Sequence, residues 1–440
     1  MNITLSLSLS LSGKFAPLGR QIEDALHLFV ADINAAGGVT VGAERSYFAL
    51  RCHDDRSEQT VCAAIYRELC AGTGNDIVLG PYSSELAAVA APIAEEHGRL
   101  FINHAAAADD LYRRGYKMIV GLPTPASRYL DEFIRLLASL KFWRKRLAII
   151  TEPTDFARAL CSGAQAFVRE PPVRRKGVRL RVKREEWFDP GQATELLVST
   201  LRRDRINSLL SAGSYDHDLA VMRAVLDSEL DIPVLACVAA GRSSFGTDLG
   251  ERAEGIVGTS QWEPGSQVIP ELGPDPHEFA HRMHTQTRTA TCDYVAAQAY
   301  AAGVLAAAVV EKVGACDQVR MREQFSTLRT RTLFGRFEID PETGRQVAHH
   351  MLTVQWHKGS RVPIEPHPPL SDRGSSEYSA GRRLLEASAQ IFGLGNRGKR
   401  NGGDGLRTGS ELGSQAQPHP RSLRKSSPRR EIHLRQHTEH

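Results

Sequence analysis

The chain has 440 residues, 41% of them hydrophobic and 24% charged, a globular composition with room for one very large domain or two or three ordinary ones. No run of 18 or more consecutive apolar residues occurs, so no membrane-crossing helix is expected. Residues 371–440 hold 13 Lys/Arg against 7 Asp/Glu and the other 370 hold 42 against 44, so the net charge of +4 comes from the tail and argues against a folded part built around nucleic acid. The N-terminus alternates Ile3, Leu5, Leu7, Leu9 and Leu11 with small polar residues, which reads as a strand. It lacks the basic start and unbroken apolar stretch of a secretory signal. The expectation is that a mature domain begins at residue 1: either the export signal is absent from this start or the protein is not exported.

Strand and helix patterns then alternate. Apolar spacing predicts a helix over Arg20–Ala36, closed by Gly37 and Gly38, a strand over Tyr47–Cys52, and a helix over Ser57–Ala71 capped by Ser57. A strand over Asp76–Leu79 stops at Gly80–Pro81, two serines follow, and an Ala-rich helix begins. Leu100–Asn103 is the next strand. A second series runs helix 127–140, strand 146–151, helix 155–168, edge-like strand 178–187, helix 190–203, strand 208–211, helix 216–228 and strand 233–238. Repeated βα units with short connections imply parallel sheets covered by helices, and two series imply two doubly wound lobes with a cleft between them. From Ser371 onward the chain is rich in Gly, Ser, Arg and Pro, and disorder is expected there, with one short amphipathic helix at 382–392. The seven cysteines contain no C-x-x-C, so no thiolate metal site is predicted, and the spacing establishes no disulfide.

Ser83 and Ser84 sit where a strand ends and a helix starts, where ligands of open α/β sheets bind and where free N–H groups favour anionic or strongly polar groups. One serine can cap the helix while the other binds. The next strand end, His104 followed by Ala105 to Ala108, leaves a second stretch of backbone approachable.

Five segments carry a resemblance: SLSGKFAPLGRQIEDALHLFVADINAAGG, DDRSEQTVCAAIYREL, VLGPYSSELAAVAAPIAEEHGRLFINHAAA, DYVAAQAYAAG and LFGRFEIDPETGRQ. Their order and spacing resemble the leucine/isoleucine/valine-binding family of type I periplasmic binding proteins, over roughly residues 1–370. The resemblance implies an α/β fold of two Rossmann-like lobes joined by hinge strands, with lobe 1 at 1–120 and 247–330, lobe 2 at 121–246 and 331–370, and a tail at 371–440. It also implies a monomeric, non-enzymatic receptor without cofactor or metal, in the periplasm or outside the cell, that captures a small polar solute for an ABC transporter permease; a ligand-sensing domain is the alternative. Position by position, Ser84 matches the serine that holds a substrate carboxylate, beside Ser83, and Ala105 contributes backbone. Ala107 stands where amino-acid binders have Ser or Thr, and Phe156 where they have Tyr. Ser214 and Tyr215 match a second-lobe wall, and Leu18 a loop residue flanking the ligand. Past the strand ending near Cys237, the carboxylate that pairs with a ligand ammonium is missing, leaving Asp216 and Asp218 nearest in sequence, or a ligand that is not an α-amino acid.

Two motifs compete with this reading. HEFAH at 277–281 places His277 and His281 on one helical face around a glutamate, as in zinc hydrolases, but neither Thr287 nor Ala301 and Ala302 supplies the third ligand, so a surface helix is expected. The basic run 174–184 alternates with Val178, Leu180 and Val182, which fits an edge strand protected by charge better than a nucleic-acid surface. Trp262 either lines the cleft or packs in the core, and Gln355–Trp356 is assigned to the final strand.

Overall fold

The computed structural model describes residues 2–72, 76–140, 145–184, 192–289 and 291–364. The expected tail, its helix at 382–392, the end of the strand at 187 and the start of the helix at 190 lie outside the described residues. The first series is β1 (Asn2–Leu9), α1 (Ala16–Ala35), β2 (Val39–Val41), β3 (Glu44–Asp54), α2 (Gln59–Ala71), β4 (Asp76–Leu79), α3 (Ser84–Glu96), β5 (Phe101–Asn103), α4 (Asp110–Arg113) and β6 (Ile119–Gly121). The second is α5 (Asp131–Ser139), β7 (Lys145–Thr151), α6 (Asp155–Arg169), α7 (Pro171–Arg174), β8 (Val178–Arg184), α8 (Gln192–Arg203), β9 (Ser208–Ala212), α9 (Tyr215–Leu226), β10 (Val234–Cys237), α10 (Ser244–Leu249) and β11 (Val257–Ser260). Then follow α11 (Pro276–Gln286), α12 (Tyr294–Val313), α13 (Gln318–Thr327), the hairpin β12 (Thr330–Thr332) and β13 (Gly335–Phe337), and β14 (Leu352–His357) with β15 (Ser360–Ile364).

Two large sheets result, ordered β2-β3-β1-β4-β5-β6 and β15-β14-β11-β10-β9-β7-β8, beside the two-stranded β12-β13 hairpin. Within the first, β3, β1, β4, β5 and β6 are parallel, and within the second, β8, β7, β9, β10 and β11 are parallel. This is the expected pair of doubly wound lobes. β8 is an edge, as its charge alternation predicts.

Leucines and serines alternate along β1, and both faces are buried. Ile3, Leu5, Leu7 and Leu9 join the core with α1 and α12, while Ser6, Ser8 and Ser10 face the other way at 0% exposure. Serine is small enough to let α2 approach: Ser8 Oγ lies 3.5 Å from Cys62 Sγ and donates to Asp55 at 2.8 Å. α12 is long and apolar enough to cross a membrane, but most of it is buried against α1 and the first sheet, which accounts for an apolar surface all round.

Several sequence expectations shift. α1 begins before Arg20, because Pro17 pre-sets the backbone of the first turn. Ser57 does not cap α2, whose N-cap is Glu58; with φ +62° its hydroxyl instead donates to Ser12 O and accepts from Phe15 N, holding the β1–α1 loop. Gln355 and Trp356 lie in β14, and β15 is the outer strand. β11, placed in the first lobe by its position after residue 247, bonds into the second sheet, because its backbone pairs with β10 on one side and β14 on the other. Leu333, Phe334 and Phe337 of the hairpin, expected with the second lobe, fill the first-lobe core.

The chain therefore crosses between lobes after β6, after β11 and before β14. The crossings are pinned by polar contacts. Arg361 of β15 donates to Asp293 at 3.0 Å and to Gly241 O, and Asp293, at the start of α12, also accepts from Ser243 N and Oγ at 2.9 and 2.8 Å.

Candidate ligand-binding cleft

A cleft of about 880 Å³ opens between the carboxyl ends of the two sheets. Three helix N-termini border it: Ser83 to Glu85 at α3, Thr154 to Phe156 at α6 and Ser214 to Asp216 at α9. Each carries unpaired N–H groups and a partial positive charge, so the cleft favours acceptors and anions.

The two serines divide the work between them. Ser83, at φ +84°, caps α3 by accepting from Leu86 N at 3.3 Å. The Ser84 hydroxyl accepts from Ala108 N at 3.1 Å, tying α3 to the alanine loop after β5 and leaving its own proton to donate. That loop is fixed from beneath by Asn103, whose Oδ1 accepts from Ala106 N at 2.9 Å and whose Nδ2 donates to Ala106 O at 2.7 Å. Ala105, Ala107 and Ala108 line the cleft with backbone and methyl groups.

On the second lobe, Ser214 caps α9 by accepting from His217 N and donates to Glu152 Oε1 at 2.7 Å, while its own N–H donates to Glu152 Oε2. Glu152 is thus a cleft acid with both oxygens engaged. A Cβ on Gly213 would come within 2.4 Å of His217 Nδ1 and 3.0 Å of Glu152 Oε2, so this bend admits only glycine without displacement. Asp218 is fully buried and does not face the cleft. It accepts from Ser211 Oγ at 2.7 Å and from Gly213 N and Ala239 N at 2.9 Å each, clamping the ends of β9 and β10.

Aromatic rings form much of the remaining wall. Tyr129 and Phe156 meet edge-on at 5.3 Å, as do Phe15 and Tyr82. Tyr129 is oriented by Gln261, which donates to its hydroxyl at 2.6 Å and accepts from Thr124 N at 2.8 Å. Burial pushes the Tyr129 and Tyr294 phenols above their ordinary range, and burial with a bond to Asp248 does the same for Tyr215, so all three stay neutral donors at physiological pH. The Arg242 guanidinium lies 4.3 Å from the centre of the Tyr215 ring.

Seven of the eight candidate residues border this cleft: Ser83, Ser84, Ala105, Ala107, Phe156, Ser214 and Tyr215. The eighth, Leu18, is 2% exposed in the first-lobe core, because α1 starts early enough to turn it inward. Trp262 takes the core alternative, donating to Leu333 O at 3.0 Å, while its neighbour Gln261 reaches the cleft. Glu152, Tyr129, Arg242 and Tyr294 were not singled out from sequence. His277 and His281 are exposed on α11, and no group of three metal-binding side chains occurs among the described residues. Burial raises the thiols of Cys52 and Cys62 to about 12, leaving them unreactive.

The sequence pattern of the family described as periplasmic binding protein matches residues 2–361. The chain is 22% identical over 363 residues to a leucine-, isoleucine-, valine-, threonine- and alanine-binding protein of Pseudomonas aeruginosa, covering 81% of this chain and 90% of that one. Among solved structures it is similar to the branched-chain amino acid transporter substrate binding protein LivJ of Streptococcus pneumoniae in complex with isoleucine, with TM-score 0.68, 17% identity, and 83% of this chain and 100% of that one covered. It is also similar to an ABC transporter solute binding protein of R. palustris in complex with benzoate, with TM-score 0.65, 16% identity, and coverage of 83% and 96%.

Proposed function

Because this chain belongs to the periplasmic binding protein family, we propose that it captures a small polar solute between its lobes and presents it to the permease of an ABC transporter. The observation that carries the reading is the cleft itself, about 880 Å³ at the carboxyl ends of two parallel sheets and bordered by three helix N-termini. Ser84, the Ala105 and Ala107 backbone and the α3 amides take a carboxylate or amide on the first lobe. Phe156, Ser214 and Tyr215 close on it from the second. Relatives named for aliphatic amino acids and a neighbour holding benzoate share one ligand feature, a carboxylate, and that is the group this first-lobe wall suits. No bond is made or broken: affinity comes from desolvated hydrogen bonds, and closure of the lobes is the signal a permease reads.

A thermal-shift screen of amino acids, amides, ureas and carboxylic acids tests this. A true solute at 100 times its Kd stabilises the fold by about 2.7 kcal/mol. It also lowers the radius of gyration in solution scattering, and Ser84→Ala weakens it. Silence across the screen, or binding with unchanged scattering and no effect of Ser84→Ala, refutes the reading.

A further inference from the structure

Four of the five acids that border the cleft are already engaged, and two of its cations, Arg114 and Arg242, form no ion pair among the described residues. Glu85 pairs with Lys14 at 2.6 Å, Asp110 with Arg113 at 3.2 Å, and Asp155 with Arg158. Glu85, Asp155 and Asp216 also stand in the first turns of α3, α6 and α9, where they offset the helix dipoles. Both oxygens of Glu152 accept from Ser214. Asp216 and Arg114 are exposed at the rim, where water competes.

Arg242 differs. It follows the buried turn Ala239–Gly241 beyond β10, lies against Tyr215, and forms no ion pair among the described residues. Its Nε is shut off from solvent with no acceptor. The planar guanidinium fork of a cleft-lining arginine matches a carboxylate in two parallel bonds. An ammonium placed here would meet Arg242 and would find both oxygens of the Glu152 carboxylate already accepting from Ser214.

We propose that Arg242 is the specificity-determining residue of the cleft, pairing with an oxyanion of the solute, so that the protein selects an organic acid of net negative charge over a zwitterionic amino acid. This rests on the solute-capture reading above. Ser84 and the first-lobe amides hold one end of the acid, the aromatic walls flank its body, and Arg242 neutralises charge from the second lobe, so closure is completed only by an anion.

Isothermal titration of the full chain at pH 7.5 with benzoate, succinate, L-leucine and urea tests it, using wild type, Arg242→Ala, Arg242→Lys and Arg242→Glu. Wild type binds at least one acid and binds L-leucine more weakly. Arg242→Ala loses about 10- to 100-fold in acid affinity, the scale of a charged hydrogen bond. Arg242→Lys keeps part of the affinity and Arg242→Glu none, while unliganded thermal midpoints stay near wild type. Tighter binding of L-leucine than of either acid, or acid affinity indifferent to Arg242→Ala, overturns the role of Arg242 and leaves solute capture standing. A wild type that binds none of the four overturns both.

Discussion

Removing the Asp218 carboxylate should uncouple the second-lobe wall from its sheet. Asp218 is fully buried and holds the Ser211 hydroxyl and the Gly213 and Ala239 amides at 2.7 to 2.9 Å. These amides begin the two loops that carry Ser214 and Arg242 into the cleft. In Asp218→Ala the hydroxyl can rotate to another acceptor, but the two amides cannot turn away. At about 1–3 kcal/mol for each of the two buried donors left unsatisfied, the loss is roughly 2–6 kcal/mol. Asp218→Asn keeps one oxygen for Gly213 but points an NH₂ at the Ala239 amide, so it should cost about half as much. Urea unfolding followed by circular dichroism reads this as a shifted midpoint at constant slope. A loss below about 1 kcal/mol for Asp218→Ala, or equal losses for both variants, would refute the idea that these backbone bonds fix the loops.

Three further outcomes follow from buried titratable groups and from α11. Burial raises the Glu263 carboxyl from 4.5 to about 7, against the opposing pull of Arg361. The folded protein keeps that proton where the unfolded chain has lost it, so stability falls as pH rises from about 4.5 to 7; Glu263→Gln should flatten that limb in a thermal-midpoint series, and an unchanged slope rules it out. Burial lowers His104 from 6.5 to about 3, and neither ring nitrogen has a partner. Stability should therefore drain away as pH falls from 6.5 toward 3, and His104→Leu should reduce that loss while leaving neutral-pH stability equal or higher; an acid limb identical to wild type would contradict this. His277→Ala with His281→Ala should change stability by less than about 0.5 kcal/mol, and elemental analysis of the wild type should find no stoichiometric zinc; zinc bound one to one and lost in the double variant would reverse that reading.

The fold was legible because its signals are local. Leu and Ser alternate in β1, glycines close α1, and short βα connections impose parallel strands and a crevice at their ends. The first-lobe wall was legible for the same reason, since Ser83, Ser84 and the alanine loop each follow directly from a strand end. What escaped was set by contacts distant in sequence. Arg242, Glu152, Tyr129 and Tyr294 face one space only because the three crossings superimpose the ends of β10, β7 and β6 on the start of α12. Asp218 looked available from sequence, yet the backbone of two strand ends claims it. Leu18 looked like a loop residue because apolar periodicity marks where a helix turns amphipathic rather than where it begins.

α12 fills the same core as α1 and β1 but leaves the ribosome roughly 280 residues later, a delay of about 15 to 55 s at synthesis rates of about 5 to 20 residues per second. Throughout that interval the face of α1 that α12 later covers, with Phe29 on it, lies open to the medium. The molecule is thus obliged to mature from its far end backward. Holdase chaperones are expected to find it in that window, and premature stop codons ahead of Tyr294 should yield aggregates rather than a half-sized receptor.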